Sequence, residues 1–243
     1  MVGAASPVLP QQSVQAQSAI AQQLFALAND ARVSAGVRPL LWDPALADAA
    51  MKHCQRMAVE GPIAHRYDGE PDLTARAGDA GAHFSLVEEN IAVGSHLQTI
   101  HQGWLDSPKH RANLLNPAVD HVGIAVVSSG GILFAVTDFS RAVDELTPAQ
   151  VEANFATLLH SHGLKIDGNT TDARRYCMSE DKWHGFDPPS FLFRWQGPDV
   201  TQLPEQVLEQ LAVERYQKAS VGSCAPHDVK EAFTVYRVAV LLY

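Results

Sequence analysis

The 243-residue sequence lacks three features that would indicate particular classes of protein. Lys and Arg total 18 against 27 Asp and Glu, and no basic cluster forms the positive face that nucleic acid or an anionic membrane requires. No apolar run approaches the roughly 20 residues that span a bilayer. The three cysteines include no CxxC pair, which argues against a zinc ribbon. We therefore expect no nucleic-acid partner and no transmembrane segment.

Hydrophobic residues make up 46% of the chain, which is enough for a sizeable core. Residues 1–15 are small and polar and predict a disordered lead-in. Residues 141–147 are typical of a linker, and a capped helix with proline at its first position follows them. We therefore expect one domain over residues 16–143 and a smaller α+β domain over residues 144–243.

Apolar periodicity and turn residues predict the main elements. Helices are expected from Ser18, from Asp43 to about residue 60, over 97–105 and over 203–217, and strands over 121–128, 132–139, 191–196 and 233–243.

Four short motifs follow one another in the first 145 or so residues. They are LANDAR with Gly36 and LLWD (27–43), His53 with Met57, Ala58 and His65, EENIAVG (88–94), and WLDSPKHRANLL followed by VGIA (104–125). Each motif alone is a weak signal, but their order and spacing together are specific. Over about residues 16–143 the chain resembles the bacterial branch of the CAP superfamily, also called the SCP-like extracellular domain.

The resemblance implies a fold and a site. The fold is a three-layer α-β-α sandwich, and its cleft carries two histidines and two acidic residues. By motif, His65, Glu89 and His110 match three of the four. The position that matches the fourth holds Ser107, and Asp106 is the nearest acid, so the identity of a second acidic residue stays open.

Two imidazoles and one carboxylate allow several chemistries. They can ligate zinc or another divalent metal, act as an acid/base set, or form a polar network that ties loops together. We expect a binding module for a small ligand, with His65, Glu89 and His110 lining the cleft. The alternatives are a metal-assisted hydrolase, with zinc on the two histidines and Glu89 as base, and a lipid- or sterol-binding module. The sequence leaves open whether the protein is an enzyme.

Cysteine placement bears on the compartment. Cys177 and Cys224 both lie beside turn residues in the second domain and are the natural disulfide pair, whereas Cys54 lies on the apolar stripe of its helix as a buried thiol. His53, its neighbour, is interpreted as a packing or buried polar residue. A disulfide, together with a family usually found outside the cell, favours a secreted or periplasmic protein whose signal peptide has been removed.

Overall fold

A computed structural model describes residues 11–179, 183, 187–213, 216–229 and 232–243, with side chains from residue 19 onward. The chain divides into two compact units, which we call the first unit (Met1–Ala142) and the second unit (Val143–Tyr243). The first ten residues of the predicted lead-in lie outside the described residues.

The first unit contains five helices and four strands within its described residues. In chain order these are α1 (Gln11–Ser34), β1 (Leu41–Trp42), α2 (Pro44–Glu60), α3 (Leu73–Asp79), β2 (Phe84–Gly94), α4 (Leu97–Asp106), α5 (Pro108–Leu114), β3 (His121–Ser129) and β4 (Ile132–Ala142).

The sheet of the first unit has the strand order β1-β3-β4-β2. β1 runs parallel to β3, and the other two pairings are antiparallel. One face packs on α1, α4 and α5 around Trp104 and Phe139, and the other packs on α2 around Cys54 and Met57. The first unit is therefore a three-layer α-β-α sandwich, as predicted.

Helix α2 lies very close to the sheet. Asp43 caps its first turn by accepting from the N–H groups of Ala45 and Leu46. Where the helix crosses β3, a Cβ added to Gly123 would lie 2.0 Å from the backbone nitrogen of Ala47. Only glycine permits this approach, which brings α2 directly over the middle of β3 and β4.

The second unit contains three helices and four strands within its described residues. They are α6 (Pro148–Ser161), β5 (Lys165–Ile166), α7 (Thr171–Met178), β6 (Phe191–Gly197), α8 (Glu205–Val213), β7 (Lys218–Cys224) and β8 (Tyr236–Leu242).

The second unit repeats the topology of the first. Its strand order is β5-β7-β8-β6, with β5 parallel to β7 and the other pairings antiparallel. Its core joins α6 and α8 to one face of the sheet, and α7 packs on β7 and β8. A Cβ added to Gly222 of β7 would lie 2.1 Å from the backbone nitrogen of Arg174 in α7, just as Gly123 meets α2.

The structure differs from the sequence-based expectations at several element boundaries. α1 begins at Gln11 rather than Ser18, so residues 11–15 of the predicted lead-in are helical, because no glycine or proline lies between Gln11 and Gly36. β2, β5, α7 and β7 were not predicted, since they are short or, like β2, carry polar residues on both faces. The terminal strand begins at Tyr236 rather than Phe233 and lies between β7 and β6.

Candidate functional site

Several motif residues hold the backbone of the first unit together. Arg32 of α1 is fully buried and donates to the carbonyls of Arg38, Leu114, Asn116 and Val119. Such a guanidinium replaces the water that these loop carbonyls lose on burial. Arg32 is therefore a structural residue.

Two residues of the fourth motif bind the outer strand β2. Trp104 donates from Nε1 to the carbonyl of Ile91, and Asn113 donates from Nδ2 to the carbonyl of Glu89. β2 is the last strand of its sheet, so one of its edges lacks a strand partner. These two side chains cover part of that edge with α4 and α5.

Glu89 and His65 form a hydrogen-bonded pair. Glu89 lies on the face of β2 that turns toward α2, and His65 lies in the loop after α2. His65 Nδ1 donates to Glu89 Oε1 at 2.7 Å. The Glu89 side chain is 3% exposed and that of His65 is 60% exposed, so the carboxylate is the buried partner. This pairing leaves the Nε2 edge of His65 available to a ligand.

The Glu89 carboxylate sets the protonation of His65. Its hydrogen bond is the largest influence and raises the pKa of His65, against an opposing effect of burial and with further help from the Glu89 charge. Because an imidazolium is favoured beside a carboxylate, His65 is a stronger base than a free histidine.

Arg76 of α3 joins the same carboxylate from the other side. Its Nη2 donates to Glu89 Oε2, and both side chains are almost fully buried. Arg76 Nη1 also donates to the carbonyls of His65 and Pro71. One guanidinium therefore neutralises Glu89 and fixes the loop that carries His65.

His53 and Glu70 extend this buried network. The two ring nitrogens of His53 lie 2.8 Å from Glu70 Oε1 and 3.0 Å from the carbonyl of Ala64. Burial opposes the ionised form of Glu70, but the N–H of Tyr67 and the His53 ring prevail and lower its pKa. His53 is fully buried, and its interpretation as a buried polar residue is confirmed.

His110 lies on α5, beside the strand that carries Glu89. Its backbone carbonyl accepts from Asn90 Nδ2 at 2.9 Å, one residue after Glu89. Burial first, and the charge of His65 second, lower the pKa of His110. Of the two histidines, His110 is therefore the weaker base and His65 the stronger.

Asp138 of β4 lies opposite Glu89 in the sheet and is fully buried. No described residue donates to either of its carboxyl oxygens. Burial first, and then the charge of Glu89, raise the pKa of Asp138 well above its ordinary value.

The sequence did not single out Arg76, Glu70 or Asp138. An available signal for Asp138 was an acid within an otherwise apolar strand, Ile132–Phe139. Asp106, the candidate for the fourth cleft residue, is exposed and accepts from Gln102 one turn earlier in α4. Asp138 is therefore the acidic residue opposite Glu89 in the sheet. The pairing of β2 with β4 places it there, and the sequence motifs do not include it.

The residues fit a metal in one respect only. A histidine whose other ring nitrogen donates to a carboxylate is a common arrangement around metals, and His65 has it. However, in the part of the chain that the structure describes, no group of three or more His, Cys, Asp or Glu side chains is placed to hold an ion. Zinc on His65 and His110 stays a prediction.

A small cavity adjoins the buried network. It has a volume of about 280 Å³ and is lined by α2, α3 and the loop between them, with Lys52, Arg56, Glu70 and Arg76 among its polar side chains. An open groove of about 600 Å³ lies beside α5, between Glu88 and Arg111.

The predicted disulfide and free thiol are confirmed. Cys177 of α7 is bonded to Cys224 of β7, and Cys54 is free and buried. Burial raises the pKa of the Cys54 thiol to about 12, so this thiol is unreactive at neutral pH. Among the described helices, none combines the length and the apolar character needed to cross a bilayer.

Comparisons with known proteins agree with this architecture. Residues 25–139 match the model of the CAP family, described as the cysteine-rich secretory protein family. The crystal structure of an extracellular protein containing a SCP domain from Bacillus anthracis strain Ames is 31% identical, with a TM-score of 0.51, over 56% of this chain and 45% of that one. The family-model match ends at residue 139, before the second unit begins at Val143.

Two curated relatives come from Bacillus subtilis strain 168. The uncharacterized protein YkwD is 30% identical over 119 residues, which are 47% of this chain and 45% of YkwD. The uncharacterized membrane protein YlbC is 31% identical over 111 residues, which are 45% of this chain and 32% of YlbC. The chain thus spans less than half the length of each relative.

Proposed function

Because residues 25–139 match the model of the CAP family, we propose that this part of the chain is an extracellular binding module whose ligand contacts His65 and His110. The observation that carries the proposal is the pairing of exposed His65 with buried Glu89. The pairing fixes the imidazole and directs its Nε2 edge away from the protein core. An oriented, exposed imidazole is a contact point for a ligand, and we propose that His110 contacts the same ligand.

The charge of His65 indicates the ligand chemistry. Since Glu89 favours the imidazolium form, the Nε2–H is a charge-assisted donor, and such donors bind carboxylate or similar acceptor groups. His110, whose pKa is lowered first by burial and then by the charge of His65, can supply a second donor or an acceptor. We therefore propose a small ligand with an anionic or acceptor group. The disulfide between Cys177 and Cys224 supports a secreted or periplasmic location, because disulfides persist in oxidising compartments.

The test is a titration followed by NMR signals of the histidine rings, with acetate and then glutarate as carboxylate probes. We expect the His65 and His110 signals to shift together in the wild type and the His110 response to be lost in His65→Ala. His121→Ala is the matched control, because His121 also pairs with a carboxylate, Asp120, at 2.8 Å, but on β3. Equal responses in the wild type and His65→Ala would contradict the proposal.

Zinc is a second candidate ligand, supported by the carboxylate-bound nitrogen of His65. Zinc competes with the proton for Nε2, so binding would weaken as pH falls. Titration calorimetry with zinc at pH 7.5 and pH 5.5, on the wild type, His65→Ala and His110→Ala, separates this candidate from the first. Tight binding that needs both histidines would favour zinc.

A further inference from the structure

Glu89 and Asp138 form a pair of buried carboxyl groups. The donors around them do not satisfy both groups in the ionised form. Glu89 and Asp138 are cross-strand partners on β2 and β4, with side chains on the face of the sheet toward α2. Residues directly opposite each other in an antiparallel pair have Cβ atoms about 4.5–5.5 Å apart, so the two carboxyl groups are neighbours. Glu89 accepts from His65 and Arg76, but among the described residues no donor reaches Asp138. A buried carboxylate without a donor is strongly disfavoured.

The cations and donors near the pair are directed at other carboxylates. His53 Nδ1 lies 2.8 Å from Glu70 Oε1, while His65 Nδ1 and Arg76 Nη2 both donate to Glu89. Among the described residues, none of them donates to Asp138. An ionised Asp138 would therefore be a buried charge without a hydrogen-bonded partner.

We propose that Asp138 is a neutral carboxylic acid in the folded protein and donates its proton in a hydrogen bond to Glu89. Asp138 is thus a positioning residue. With Arg76 on the other oxygen, it holds Glu89 ionised and fixed, and Glu89 in turn orients His65. The inference concerns the layer beneath the cleft and is independent of what the cleft binds.

All the ionisable groups that face Asp138 enter the argument. They are Glu89 on β2, Arg76 on α3 and Cys54 on α2, and His53 on α2 lies 3.9 Å from Glu89 rather than beside Asp138. Only Arg76 could stabilise an ionised Asp138 directly, and its Nε also has no partner among the described residues. The competing arrangement is therefore an ionised Asp138 paired with Arg76.

The two arrangements predict opposite effects of Asp138→Asn. Asn has the same shape, donates from its amide to Glu89 and never ionises. If Asp138 is protonated when folded and ionised when unfolded, folding takes up a proton, and stability is lost as pH rises above about 4. Asp138→Asn removes this loss. Its midpoint of thermal unfolding should exceed that of the wild type by about 5 °C at pH 8, and the difference should shrink toward pH 4.

Asp79→Asn is the control, because Asp79 is exposed at the end of α3 and its replacement should leave the pH profile unchanged. An Asp138→Asn variant that is less stable than the wild type, with a deficit that grows with pH, would show an ionised Asp138 and overturn the proposal. So would equal stability at every pH.

Infrared spectroscopy gives a second test that does not depend on the variant folding. The wild type at pH 8 should show the carbonyl band of a protonated carboxylic acid, and this band should be missing from Asp138→Asn. A wild-type spectrum without the band would overturn the proposal on its own.

Discussion

Helix α2 crosses the first sheet at Gly123, and helix α7 crosses the second sheet at Gly222. In the first sheet, Gly123 lies opposite Asp138, and Asp138 lies opposite Glu89. In the second sheet, the matching residues are Gly222, Ala239 and Arg194. At these matched positions the first sheet therefore carries two buried acids, and the second sheet carries an alanine and an arginine.

The helix-to-sheet contact differs as well. Ala50 follows the crossing on α2 by one turn and packs near Ala125 of β3. At the corresponding places in the second unit stand Cys177 and Cys224, which are bonded. In the first unit a cluster of polar side chains lies between α2 and the sheet, and packing and ion pairs hold the helix there. In the second unit a disulfide joins α7 to β7. The contact between helix and sheet can therefore hold a polar network where no covalent link is present.

The largest effect is expected from breaking the buried ion pair in the first unit. Arg76→Met would leave Glu89 without its cation, and losses from such buried pairs are about 3–5 kcal/mol. Arg174→Met is the comparison in the second unit. Arg174 binds Glu152 with two hydrogen bonds but is half-exposed, so solvent screens this pair and a clearly smaller loss is expected there. Denaturant unfolding measures both, and equal losses would contradict the contrast.

The next largest effect is expected from removing the disulfide in the second unit. Cys177 and Cys224 are separated by 47 residues, and closing a loop of that length stabilises by about 4 kcal/mol. The Cys177→Ala/Cys224→Ala variant should lose amide-exchange protection in α7 and β7. Protection in β3 and β4 serves as the internal control, and an equal loss there would show that the two units do not unfold separately.

The smallest effect is expected from the feature that the units share. Gly123→Ala and Gly222→Ala each force a Cβ against helix backbone, and each should cost about 1–3 kcal/mol. Gly103→Ala in α4 is the control, because its added Cβ meets open space and alanine favours a helix. If only one of the two crossing glycines proved sensitive to replacement, the structural parallel between the units would fail.

The sequence predicted much of the first unit because its signals are local. The Asp43-Pro44 cap, the hairpin between β3 and β4 and the apolar stripe of α2 each lie within a few neighbouring residues. His65 and Glu89 came from motifs, and the structure places them in contact.

The rest depends on register between distant segments. Nothing near Asp138 in the chain reveals that it pairs with Glu89, and Arg76 acts through a helix that the motifs do not include. The shared topology was also hidden, because the two units need only a close-packed glycine and apolar faces in common. Their buried acids and cysteines differ, so no sequence repeat is visible.

The side chains that cover β2 have a consequence for self-association. An 11-residue edge strand is a template on which a strand of another molecule can form, and edges of that kind promote aggregation. With Trp104 and Asn113 already bound to the carbonyls of Ile91 and Glu89, an incoming strand would have to displace both side chains. The fourth motif thereby hinders strand addition at the edge of the sheet that carries Glu89, while it places His110 on α5.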